Sequence, residues 1–284
     1  LRVVAVDRAS NVGRQSTLPA GGRYLISIPL RPRPIVSLAI SDVVRKCVPS
    51  APRSCATGST CKRGSRCAFK WQATRRGSGT DRIVGWDDRA AITGLILSPS
   101  GAPLPGAQLQ LYSAIVGSPR EFVATLTSGA GGEFEWRIPR GPSRAFEVVT
   151  STGNGLATAR AAASLAVRAG LSFAVSDTSV RSGQRVVLSG RLSSGGLGLP
   201  ADGKRIEIQA WSEADGKWLP AIGAPVTDAE GRFRAAWRVK PTSAAGVVRL
   251  RAAAIQESAA WPYESGKSRP IRVSPDCRRS APGC

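Results

Sequence analysis

Histidine is missing from this 284-residue chain. Without it no serine–histidine or cysteine–histidine nucleophile pair can form, and no imidazole can ligate a metal, so most hydrolytic mechanisms are closed. Methionine is absent too, and the chain starts at Leu1. We therefore expect a processed chain or a piece of a longer protein, its export signal upstream and its parent's other domains as neighbours. No run of apolar residues reaches the 18 or so that a spanning helix needs, so no membrane span is expected. Lysine is scarce: seven of the 40 basic residues, which leaves arginine to carry most of the formal +21 charge. Arginine abundance also follows a GC-rich genome, so where the charge sits says more than its size. Residues 1–80 hold fifteen basic against two acidic side chains, and residues 81–284 hold 25 against 17, so the front of the chain is the electropositive part.

What is present favours strands and turns: 31 glycines, 20 prolines and plentiful Val, Ser and Thr. From about residue 83 the pattern becomes regular. Strands are expected at 89–97, 108–112, 122–126, 133–138 and 145–149, with Phe134, Trp136 and Ile138 on one face. Residues 156–168 suit either a last strand or an alanine-rich helix, and a strand is favoured. A second unit repeats the plan at 185–192, 205–211, 232–239, 247–254 and 269–273. Gly94 aligns with Gly190, Gly106 with Gly203 and Phe134 with Phe233, at offsets of 96, 97 and 99 residues. That period is a whole domain, longer than the roughly 20–50 residues of solenoid repeats. The turn before the aromatic is written twice, "TSGAGGEF" at 127–134 and "TDAEGRF" at 227–233. Its glycine supplies a backbone that β-branched residues resist, and its aromatic opens the returning strand and points inward.

These residues carry a family resemblance. Residues 94–138, "GLILSPSGAPLPGAQLQLY…GGEFEWRI", resemble the bacterial carboxypeptidase-regulatory-like, transthyretin-related β-sandwich. Residues 171–273 resemble the immunoglobulin-like domain found in tandem on exported bacterial proteins, and residues 2–12 resemble the closing strand of one more. The expected fold class is all-β: two tandem antiparallel β-sandwiches of immunoglobulin-like or transthyretin-like Greek-key type, behind a basic cysteine-rich loop segment. The expected division is 1–30 as a domain remnant, 31–82 as the basic segment, 83–169 and 170–275 as the sandwiches, and 276–284 as a tail. The resemblance implies a secreted or cell-surface protein whose modules act as spacers, adhesive units or accessory binding domains. It brings no catalytic residues, so no enzyme is expected.

Cys47, Cys55, Cys61 and Cys67 fall within 21 residues, and Cys277 and Cys284 close the chain. Two disulfides in the first set and one in the second are expected, since a segment so poor in apolar residues needs staples. Free or intermolecular thiols stay open, as does a four-cysteine zinc site, although no paired C-x2-C knuckle occurs. In the same segment Lys62, Arg63, Arg66, Lys70, Arg75 and Arg76 surround Phe69 and Trp71. Bases interleaved with aromatics can hold an anionic polymer. Lys62, Arg63, Arg66, Lys70, Trp71, Arg75 and Arg76 are thus the candidate polymer-binding residues, set against a solvated basic loop with one apolar anchor. The expected partner is an anionic wall polymer or a polysaccharide, with no specific nucleic acid and no cofactor or metal. Trp136, Trp211, Trp218 and Trp237 are expected to fill core, the alternative being an exposed row that binds polysaccharide. Asp87, Asp88, Asp228 and Glu230 read as turn formers rather than calcium ligands. "SGKS" at 265–268 imitates the end of a phosphate loop, but the leading glycine is replaced by Trp261 and no helix should follow.

Overall fold

A computed structural model describes residues 3–6, 12–15, 31–49, 67–150, 156–181, 183–193, 199–239, 247–257 and 261–275. All regular structure among them is strand. At the front, β1 (Val3–Val6) and β2 (Val12–Gln15) pair with each other.

Two sandwiches follow, each of two sheets. In the first, one sheet runs β4 (Cys67–Gly79), β3 (Ile35–Pro49), β6 (Ala90–Leu97), β9 (Glu133–Arg137). Facing it is β5 (Asp81–Val84), β11 (Arg160–Val167), β10 (Arg144–Thr150), β7 (Gln108–Ile115), β8 (Glu121–Thr127). In the second, β12 (Gly170–Val175), β14 (Arg185–Ser193) and β17 (Arg232–Arg238) make one sheet. Opposite lie β13 (Ser179–Val180), β20 (Ile271–Pro275), β18 (Val248–Ala254), β15 (Glu207–Ser212) and β16 (Lys217–Ile222), with the short β19 (Gly266–Lys267) beside β18.

The repeat is therefore kept strand for strand. β3-β6-β9 answers to β12-β14-β17, and β5-β11-β10-β7-β8 answers to β13-β20-β18-β15-β16. Even the one parallel pairing recurs, β5 with β11 and β13 with β20. This is an immunoglobulin-like Greek key built twice. Alternation fills each core. Ile40, Ile92, Leu109, Leu111, Phe146 and Val148 are buried in the first, and Leu188, Leu192, Ile206, Ile208, Leu250 and Val273 in the second. Residues 156–168 are strand at β11, whose residues alternate between core and outer face.

The repeated glycine–phenylalanine pairs have a packing cause. Gly94 lies opposite Phe134 across β6 and β9, and Gly190 opposite Phe233 across β14 and β17. A Cβ on either glycine would overlap the phenyl ring and a carbonyl of the next strand, that of Ser37 or Ser172. The turn glycines need their conformation: Gly132 has φ 79° and Gly231 φ 77°. Their carbonyls accept from Ile96 N and Leu192 N, both at 2.8 Å. One detail of the sequence alignment shifts. The hydroxyl equivalent to Thr227 is that of Ser128, not Thr127. Ser128 Oγ accepts from Ala107 N and Thr227 Oγ1 from Lys204 N, each at 2.9 Å.

The expected loop character of the basic segment 31–82 is corrected at 35–49 and 67–84. Strands β3 and β4 run through both of its flanks as a long antiparallel pair, and both belong to the first sandwich's sheet. Composition misled because residues 44–49, among the described residues, pair with β4 alone. A two-stranded ribbon beyond the sheet has little core to face and needs few apolar residues. The strand at 35–49 itself had a legible signal, since Leu38, Ile40 and Val43 are buried.

The sandwiches meet in an apolar joint. Only Arg168 and Ala169 separate β11 from β12, and the 261–265 stretch before β19 docks under the first sandwich. Ser143 N donates to Pro262 O at 2.8 Å, Ala169 N to Glu264 O at 3.0 Å, and Glu264 N to Val167 O at 2.9 Å. Trp86 of the first sandwich lies 6.0 Å from Tyr263 of the second, whose ring in turn lies 5.2 Å from Trp261, both pairs tilted. Gly170 cannot gain a Cβ without striking the Trp86 indole. The buried cluster runs through this joint without a break. "SGKS" sits here on β19 with no helix after it, its Ser268 Oγ accepting from Ala252 N at 3.0 Å.

Candidate functional site

Of the predicted polymer-binding residues, Lys62, Arg63 and Arg66 lie outside the described residues. Arg75 and Arg76 lie on β4, but their side chains, and the side chains of all six cysteines, are likewise outside. The backbone register sets Cys47 opposite Phe69 and Cys67 opposite Pro49. Lys70 is exposed on β4 and Trp71, next along, is half-buried. Alternation turns neighbours on a strand to opposite faces, so the structure does not unite these two.

Trp71 instead joins arginines from other strands. The Arg89 guanidinium stacks on its ring at 4.1 Å, and Arg137 Nη2 donates to its carbonyl at 3.1 Å. Together they border a pocket of about 240 Å³ at the end of the first sandwich nearest the joint, beneath Trp86. Its floor is apolar: Val84, Ile138, Leu165 and Val167. Arg140 and Arg144 complete the rim. Arg144 is held by the carbonyls of Pro142 at 3.1 Å and Pro139 at 2.9 Å, and burial lowers its pKa. Among the described residues no carboxylate pairs with Arg89, Arg137 or Arg144, and Arg140 reaches only the exposed Asp87, at 3.9 Å. The one acid on the lining, Asp88, accepts from Gly85 N at 2.7 Å. Sequence reasoning missed these arginines, although "RIPRGPSR" at 137–144 holds three in eight residues.

The tryptophans divide. Trp136 packs edge-on to the buried Phe146 at 6.1 Å, and Trp237 also leans on the core. Trp211 and Trp218 do not. They face each other across β15 and β16 at 5.6 Å, on the sheet side away from Ile208 and Leu250. Arg249 covers Trp211 at 4.8 Å and Arg251 covers Trp218 at 4.2 Å. Glu213 beside them is held below the usual carboxylate range, first by the nearby Trp211 indole N–H, which falls short of hydrogen-bond geometry, and then by Arg249, whose Nη2 donates to Glu213 Oε1 at 2.6 Å. The turn acids behave as expected: Asp228 Oδ1 accepts from Glu230 N at 3.0 Å and Arg232 N at 2.7 Å. No cluster that could hold a metal occurs among the described residues, nor any helix able to cross a membrane.

No family model and no curated protein sequence matches the chain. Among solved structures it is similar to the Yersinia pseudotuberculosis adhesin InvE, at 15% identity and TM-score 0.29, covering 68% of this chain and 56% of that one. A tetra-tandem repeat from the extending region of a large adhesion protein gives 15% and 0.29, over 96% and 66%. Invasin, a bacterial integrin-binding protein, gives 14% and 0.31, over 66% and 36%. The chain spans less than two thirds of the length of each. Superpositions this loose carry nothing about role.

Proposed function

We propose that this chain is a rigid spacer or adhesion segment of a secreted or surface-exposed bacterial protein, its action mechanical rather than catalytic. Within that reading the first sandwich is of the carboxypeptidase-regulatory-like subtype and the second immunoglobulin-like. The observation that carries it is the joint. Tandem domains move relative to each other unless the contact between them is apolar and extensive. Here a two-residue connection, three crossing backbone hydrogen bonds and a Trp86–Tyr263–Trp261 aromatic cluster replace a hinge. A spacer needs that property, because a stiff joint sets how far whatever it carries stands from its anchor. Residual dipolar couplings from the two sandwiches should fit a single alignment tensor. Two independent tensors would remove the proposal's basis. Its location is checked on intact cells of the source organism, where an antibody to the chain should bind without permeabilisation.

A second reading is favoured by the Trp211–Trp218 face. Two half-exposed indoles capped by Arg249 and Arg251 suit a sugar or anionic polymer lying along the sheet. Retention on heparin resin, released by salt and reduced in Trp218→Ala, supports it; early elution of the parent chain counts against it.

A further inference from the structure

We propose that the pocket under the first sandwich binds a small carboxylate carried on a flat aromatic ring. This goes beyond the spacer reading and does not depend on it. The walls supply hydrogen-bond donors in excess of acceptors: guanidinium groups at 89, 137, 140 and 144 against one carboxylate, Asp88, already engaged by Gly85 N. Such a rim favours an anion. A guanidinium presents a planar fork that matches the two oxygens of a carboxylate.

The space behind the rim selects the body of the ligand. Its floor of Val84, Ile138, Leu165 and Val167 offers nothing to hydroxyl groups, and Trp71 and Trp86 supply flat indoles. A polyhydroxylated ring would strand its donors there, each at a cost, whereas an aryl ring would not. A cavity of about 240 Å³ has room for one such ring. The rim arginines are already ordered. Arg89 rests on Trp71, Arg137 on the Trp71 carbonyl and Arg144 on two proline carbonyls, so little freedom is lost on binding.

Ligand-detected NMR on the full chain, with four probes, tests the assignment. Benzoate should bind roughly tenfold or more tighter than acetate, which has the charge without the ring, and than benzyl alcohol, which has the ring without the charge. Glucuronate, a charged ring studded with hydroxyls, should bind more weakly than benzoate. Arg137→Ala should weaken benzoate about tenfold and leave benzyl alcohol unchanged. Trp71→Ala should weaken both, and an unshifted melting temperature shows that each variant is folded. Acetate or glucuronate equalling benzoate would overturn the ring preference. Benzyl alcohol equalling benzoate, or an Arg137→Ala chain that binds benzoate as before, would overturn the role of the arginines. Absence of benzoate binding would overturn the whole.

Discussion

The two sandwiches share eight equivalent strands, the second adding the short β19 beside β18, and differ most in two places. Between β3 and β5 the first inserts the β4 ribbon and the cysteine segment, where the second crosses from β12 to β13 in residues 176–178. The outer faces also diverge. On the first, Glu147 gathers both Arg120 and Arg160. On the second the equivalent position, in β18, is basic: Arg251, which has no carboxylate partner among the described residues, hydrogen-bonds Gln209 and covers the Trp218 ring instead. A duplicated scaffold holds its inner face under packing constraint and leaves loops and outer faces free to change. The differences, not the likenesses, are therefore where specific function should be sought.

The likeness breaks most sharply at its glycines. Gly94→Ala and Gly190→Ala should each cost about 3 kcal/mol, because a methyl meets a phenyl ring on one side and a backbone carbonyl on the other. Each penalty should fall on its own sandwich, so calorimetry of either variant should show the transition split. A single shifted transition would mean that the joint makes one cooperative unit of the two.

Much of this was legible and some was not. Gly94, Gly190, Phe134 and Phe233 announced themselves because local chemistry repeats at one offset. β11 was legible only as a preference, since an alanine-rich run has little period to read. The ribbon was illegible because strands that project past a core lose the alternation that core imposes. Trp211 and Trp218 look like core by residue type, and only the register of β15 against β18 shows that they face out. The pocket assembles Trp71, Arg89 and Arg137 from separate strands, and no linear spacing encodes that.

The joint offers a pH-dependent probe. Burial pushes the Tyr263 hydroxyl up to about 12 from an ordinary 10, against the pull of the Arg144 charge. A raised folded value means the contribution is fully present below pH 10 and is lost as pH climbs towards 12. Over that window the parent chain should lose about 2 kcal/mol relative to Tyr263→Phe, which has no proton to surrender. Melting curves of the two proteins should run parallel up to about pH 9 and then converge or cross. A constant gap throughout would place the hydroxyl in water.

The smallest expected effects sharpen the alignment itself. Ser128 Oγ accepts from Ala107 N and donates to Leu104 O at 2.6 Å, tying the turn after β8 to the loop that leads into β7. Thr227 Oγ1 does the first of these for Lys204 N. Thr127 faces solvent, where its hydroxyl meets only the exposed Gln108 amide. Ser128→Ala should therefore cost the most, at somewhat above about 1 kcal/mol, because two part-buried backbone groups lose a partner. Thr227→Val should cost about 1 kcal/mol, and Thr127→Ala less than about 0.5 kcal/mol. Urea unfolding at neutral pH ranks the three. If Thr127→Ala were as damaging as Thr227→Val, the threonines would be the true equivalents, and the correspondence between the two turns would have to be shifted by one residue.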